Sequence, residues 1–314
     1  MDDPGRLLTP KDLADAIGAS ESSVRRWVDA GRVRMSRTAG GHRRIPLAEA
    51  IRFVRETGAT VVRPDLLALG DLTIAPATPG RSAAAAGSGD EPLFAALAAG
   101  DRDAATSLIV SAYVRGQDLP ALFDGPIRSA FHRLGELWRH EARGILVEHR
   151  AVDLCVAALA RLRDLLPAPD PRAPLALGGA PAGDPYVLPS LIAGMTLAHA
   201  GFRDVNFGPD TPLDLLAREA VDRGARLVWV SASAAGNPTD VRAAVEALAA
   251  VLVPRGIALA VGGSRSSAFA RAARVAPMNS MSELTAFARG LLVTPAPAKP
   301  RPKRKPGHTP DPTD

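Results

Sequence analysis

The sequence predicts a multidomain chain, part α and part α/β, in which a small cationic helical unit precedes a helical bundle and a doubly wound parallel sheet. Three observations carry the prediction. A capped two-helix pattern with a basic hairpin fills residues 7–57, apolar residues recur at helical spacing from Glu91 to Leu166, and short apolar runs alternate with helical patterns from Pro167 to Leu292. The expected boundaries are a first unit at 1–58, a linker at 59–90, a bundle at 91–166, an α/β unit at 167–292 and a basic tail at 293–314.

In the first unit, Leu8-Thr9-Pro10-Lys11-Asp12 supplies a hydroxyl cap, a proline at the first helical position and an acid at the third. Gly18 stops that helix, and Ser20 caps a second one through Ser22, Ser23, Val24, Arg25, Arg26 and Trp27. The spacing is that of a helix-turn-helix. Small hydroxyl residues near the start of a recognition helix allow close approach to bases and phosphates, and cations further along neutralise phosphate; Ser22, Ser23, Arg25 and Arg26 supply both. From Val33 to Ile45 the chain reads as a tight hairpin whose tip carries Arg37, His42, Arg43 and Arg44, a wing. Leu13, Ile17, Val24, Trp27, Val28 and Val33 read as core.

The stretch from Thr60 to Gly89 is rich in Pro, Gly, Ala and Ser and reads as a linker. Beyond it, Leu93 and Leu97, then Leu108, Ile109 and Tyr113, then Ile127, Phe131, Leu134 and Trp138 give helical stripes, interrupted by a turn signal at Gly125-Pro126. A Pro-rich hinge leads to strands expected at Leu175–Gly178, Val205–Phe207, Leu227–Val230 and Ile257–Val261, with helices between them. The tail after Leu292 cannot bury enough apolar surface to order itself.

Composition narrows the function classes. With 46% hydrophobic and 23% charged residues the chain can bury a sizeable core. Its single cysteine, Cys155, excludes an internal disulfide and a cysteine-rich zinc site, which suits a reducing cytoplasm. Neither a leader nor a run of about eighteen apolar residues is evident, so no membrane role is expected. The formal charge of +5 permits nucleic-acid binding, although nearly all the cations are arginine, as a GC-biased genome also produces.

With Leu-Thr-Pro at 8–10, Val-Arg-Arg-Trp at 24–27 and Gly-Gly-His-Arg-Arg at 40–44, the first unit resembles the winged helix-turn-helix of MerR-family transcription regulators. Residues 91–292 resemble the cobalamin-binding module of the CarH/CarA/LitR light-responsive members, in the same domain order. In those proteins a Trp, nine residues and a Glu-His pair cover the upper face of adenosylcobalamin; Trp138, Glu148 and His149 stand at those positions, with His149 as a possible upper cobalt ligand and His140 nearby. The acid of the lower-face motif falls on Asp184, and the small residues beside the corrin tail fall on Ser231, Ser233, Gly262 and Gly263. The resemblance implies double-stranded DNA as partner, a homodimer or tetramer, and repression of light-response or carotenoid genes. Adenosylcobalamin would hold the assembly on DNA until light cleaves its cobalt–carbon bond.

This sequence departs from the family on the lower face. The cobalt-coordinating His is replaced by Tyr186 and the following Gly by Pro189, and a phenol is a poorer cobalt ligand than a neutral imidazole. Three outcomes stay open: cobalamin held without a lower protein ligand, a sensor that has lost cobalamin and assembles or docks a light-sensing or antirepressor protein, or another planar cofactor such as haem on Tyr186. A corrinoid carrier or enzyme accessory protein is the alternative of another class. No catalysis is expected, because no segment is left over for a substrate domain and Cys155 reads as a small buried hydrophobe.

Overall fold

The computed structural model describes residues 7–38, 40–72, 90–137, 143–233, 238–264 and 275–293. The predicted Trp138 and His140 and the tail from 294 lie outside the described residues.

The first unit begins with β1 (Leu7–Leu8) and α1 (Pro10–Ile17). Thr9 and Asp12 form a reciprocal cap, the Asp12 amide donating to Thr9 Oγ1 at 3.1 Å and the Thr9 amide to Asp12 Oδ2 at 2.8 Å. Gly18 ends the helix in the left-handed region at φ 65°. α2 (Glu21–Asp29) follows, then β2 (Ser36–Arg37), β3 (Arg43–Pro46) and α3 (Leu47–Thr57). The strands pair antiparallel in the order β1-β3-β2, with Arg37 opposite Arg43 and Leu8 opposite Ile45. Leu13, Val24, Val28, Val33, Ile45 and Ile51 are buried, and Trp27 leans on Phe53 with ring centroids 5.0 Å apart. A winged helix-turn-helix is formed as expected.

The first part of the expected linker is built into the fold. The Val62 and Arg63 amides donate to Ala16 O at 2.8 and 3.1 Å, Pro64–Leu67 makes a 3₁₀ turn, and Leu67, Leu69 and Leu72 are buried. These leucines share one continuous core with the winged unit and the bundle. Their apolar spacing is too short to stand out against the surrounding Pro and Gly, so composition misreads the segment. Two arginines reinforce the joint. Arg55 of α3 lies 3.6 Å above the Tyr113 ring and donates to the carbonyls of Tyr113 and of Gln117, the latter at 3.1 Å, while Arg161 donates to Ala68 O.

The bundle comprises α4 (Asp90–Ala99), α5 (Arg102–Val114), α6 (Leu119–Leu122), α7 (Arg128–Leu137) and α8 (Gly144–Arg163). Phe123–Ile127 forms a π turn joining α6 to α7, where Pro126 has no N–H to continue an α ladder.

The last unit runs β4 (Leu175–Gly179), α9 (Val187–Ala200), β5 (Arg203–Asn206), α10 (Leu213–Asp222), β6 (Leu227–Ser231), α11 (Pro238–Leu252), β7 (Ala258–Gly262), β8 (Ala276–Pro277) and α12 (Met281–Val293). All five strands are parallel, in the order β5-β4-β6-β7-β8. Successive strand residues feed opposite faces: Leu175, Leu177, Val228, Val230, Leu259 and Val261 pack with α10 and α11, whereas Ala176, Leu227, Trp229 and Ala260 pack with α9 and α12. Burial on both faces explains the uninterrupted apolar runs in the sequence. The second strand starts two residues earlier than expected and leaves Phe207 44% exposed past its end. β8, two residues long with a proline at the edge, carries too little pattern to be foreseen.

The strand order reverses direction between β4 and β6. Their carboxyl ends open the crevice where doubly wound sheets place ligands.

Candidate functional site

Two regions gather the predicted residues. On the winged unit, Ser20 Oγ accepts the Ser23 amide at 3.1 Å and meets the hydroxyls of Ser22 and Ser23, each at 2.9 Å. Arg25 and Arg26 are exposed on the next turn; Arg25 pairs with Glu21 at 2.7 Å and Arg26 donates to Ser23 Oγ at 3.2 Å. In the hairpin the Thr38 amide donates to His42 O at 3.0 Å and the Gly41 amide to Thr38 O at 2.8 Å, which leaves Arg37 and His42 exposed at the tip. Arg43 and Arg44 are half-buried. Arg43 pairs with Asp29 at 2.9 Å and so ties the wing to the end of α2, and Arg44 donates to the Arg43 carbonyl at 3.3 Å.

Sequence reasoning missed the root of the wing. Glu49, 6% exposed, accepts the Arg34 amide at 2.7 Å and its Nε at 3.2 Å, together with Arg52 Nε at 2.9 Å. Burial alone would raise its pKa, but the bonds from Arg52 and Arg34 outweigh that and hold the carboxylate below its usual value. The one signal available was the Glu49–Arg52 spacing on α3.

At the sheet's carboxyl end, Asp184 is 3% exposed and spans the crevice: its Oδ2 accepts the Ser233 amide at 2.6 Å from the loop after β6, and its Oδ1 the Tyr186 amide at 3.1 Å. The Asp210 amide donates to Asp184 O at 3.2 Å, and Asp210 Oδ1 accepts the Gly183 amide at 2.8 Å, which binds the loop after β5 into the same knot. Tyr186 sits at the N-cap of α9, 48% exposed.

Beside this knot lies a cavity of about 320 Å³. Ser231, Ser233, Gly262 and Gly263, four of the predicted residues, line it together with Trp229. α9 contributes Leu188 and Ile192, α12 Met281 and Leu284, and the bundle Phe123, Ile127 and Phe131. Gly263 is required there, since its φ is 102° and a Cβ would stand 2.2 Å from Ala232 O. The bundle closes one side. Asp124 accepts the Met281 and Ser282 amides at 2.7 and 2.9 Å, capping α12 across the unit boundary, and Arg128 donates to Asn279 O at 3.1 Å. Largely apolar walls with a few serines among them suit a mainly apolar group that carries some polar atoms.

Among the described residues, Asp184, Tyr186, Glu148 and His149 are not brought into this cavity. Glu148 is half-buried and His149 exposed, both on the early turns of α8, and neither lines it. Among the described residues no group of three or more His, Cys, Asp or Glu side chains could hold a metal, and no helix is long and apolar enough to cross a membrane.

Residues 7–57 match the family model of a helix-turn-helix domain, and residues 90–163 match that of a B12 binding domain. The chain carries both. It therefore joins a DNA-binding type of domain to a B12-binding type of domain. The monomethylamine corrinoid protein of Methanosarcina barkeri is 16% identical and superposes with a TM-score of 0.50 over 63% of this chain and 96% of that one, a likeness of fold. The methanol:cobalamin methyltransferase complex of the same organism is 17% identical with a TM-score of 0.37 over 70% of this chain and 86% of that one. No curated protein matches the chain in sequence.

Proposed function

We propose that this protein is a DNA-binding transcriptional regulator, a repressor of light-response or carotenoid genes, whose C-terminal module binds a cobalamin and sets DNA affinity through oligomerisation. The observation that carries the reading is the union, on one chain, of an exposed cationic helix and wing with a cavity at the strand-order reversal lined by Ser231, Ser233, Gly262 and Gly263. A single winged unit makes few DNA contacts, so joining copies raises affinity by avidity.

In this reading the cavity residues would hold part of the corrinoid, with Ser231 and Ser233 offering it polar groups. The corrin supplies a light-labile cobalt–carbon bond when an adenosyl group is present. The chain's own residues would bind it by shape and polar contact, with Tyr186 standing where the resemblance places a His. Asp184, which beside an imidazole would orient the ring, here uses its two oxygens to close the crevice loops. No catalytic role is assigned.

The test adds adenosylcobalamin to the full chain in darkness, removes free ligand by size exclusion, and records visible spectrum and molar mass before and after illumination. Retained corrin with a light-driven fall in mass supports a direct photoreceptor. The exposed Tyr186 favours a second reading, in which the module assembles constitutively or docks a separate light-sensing protein; absent corrin and constant mass would favour that one.

A further inference from the structure

Asp204 of β5 is buried between the sheet and α9, its side chain 1% exposed. A Cβ on Gly194 of α9 would lie 2.4 Å from its Oδ2, so a larger residue there would push the carboxylate aside. Oδ1 accepts the indole N–H of Trp229 at 3.3 Å. Oδ2 has no hydrogen-bond partner among the described residues and sees Arg163, the last residue of α8, at 3.6 Å. Trp229 reaches Asp204 by crossing β4 over Gly178, where a Cβ would stand 2.2 Å from the indole. Trp229 is also one of the residues lining the cavity.

One buried carboxylate thus meets the sheet, the end of the bundle's longest helix and the indole of a residue that lines the cavity. We propose that Asp204 is a positioning residue that orients Trp229 in the cavity wall and, through Arg163, registers the bundle against the sheet, with its charge setting both. The occupancy consequence rests on the ligand-binding reading of the cavity; the positioning of Trp229 does not.

The surroundings make that charge variable. Burial pushes the carboxyl up to about 6, with Arg163 and the indole N–H opposing it. α9 offers Gly194 there and no charge, while its His199 pairs with Asp118. Protonation removes the attraction for Arg163 and weakens the acceptor for the indole; both contacts are strongest with Asp204 ionised.

Two readouts on the full chain test this between pH 5 and 7. In a W27F/W138F background, Trp229 emission without ligand should titrate with a midpoint near 6, become flat in D204N, and move to higher pH in R163A. Hydroxocobalamin affinity of the otherwise wild-type protein should change severalfold over the same range and lose that change in D204N. Emission that is flat in the parent, or titrates equally in D204N, overturns the proposal. Titrating emission without hydroxocobalamin binding at any pH sustains the Asp204 assignment and defeats the cobalamin reading. D204N is near-isosteric and keeps an acceptor for the indole, so its fold should survive.

Discussion

Replacing Asp184 by alanine should loosen the crevice from both sides. The wild-type carboxylate is 3% exposed and accepts the Ser233 amide at 2.6 Å and the Tyr186 amide at 3.1 Å. A hydrogen bond to a charged group contributes about 1.5–3 kcal/mol, so the pair is worth about 3–6 kcal/mol before water re-enters. Because the crevice is open on one side, water recovers part of that, leaving a loss of about 3 kcal/mol. For a cooperative unit of about 150–250 residues this lowers the melting temperature by roughly 6–12 °C. Asp184→Asn retains one acceptor but turns an NH₂ towards a backbone N–H, and should lie about midway. Differential scanning calorimetry reads the effect, with hydroxocobalamin titration as the functional measure. An alanine variant that melts within about 2 °C of wild type and binds equally well would refute the assignment of Asp184 as the tie across the switch point.

Arg55→Ala should cost about 2–4 kcal/mol by removing the stack on Tyr113 and the bonds to two carbonyls, and should expose residues 59–72 to limited proteolysis; resistance equal to wild type would dissociate Arg55 from the joint. Removing the exposed Arg37 at the wing should weaken binding to every DNA sequence alike and flatten its salt dependence by about one unit of slope, measured by anisotropy at several ionic strengths. Cys155 is fully buried and its thiol is pushed up to about 12 by burial, so a thiol reagent should modify it only after denaturation. His199 runs the other way. Burial lowers its pKa from the ordinary 6.5 more than Asp118 raises it, so the unfolded chain binds the proton first; the stabilisation is complete above about pH 6.5 and is lost as pH falls, a slope that His199→Gln should reduce in acid denaturation.

The local signals decided the elements. Thr9 with Asp12, and Ser20 with Ser23, announce helix starts because a cap is satisfied within four residues of chain. The apolar runs at Leu175 and Leu227 announce buried parallel strands because both faces of each are covered. Even four lining residues of the cavity were legible, since small residues at strand ends carry their positions with them.

What the sequence could not hold was any pairing between distant residues. Leu67, Leu69 and Leu72 look like linker until the bundle covers them, and Arg55 looks like a solvated helix cation until Tyr113 lies beneath it. Glu49 and Asp204 are ordinary acids in the sequence. They become a wing anchor and a buried carboxylate only because Arg34 and Arg52 converge on the first, while Gly194 and Trp229 enclose the second. The sequence alone determined the three kinds of unit, their order and the candidate residues, because caps, periodicity and strand ends are local. Only the tertiary structure decided which of those residues meet, since desolvation and charge pairing depend on what packs against a group from across the fold.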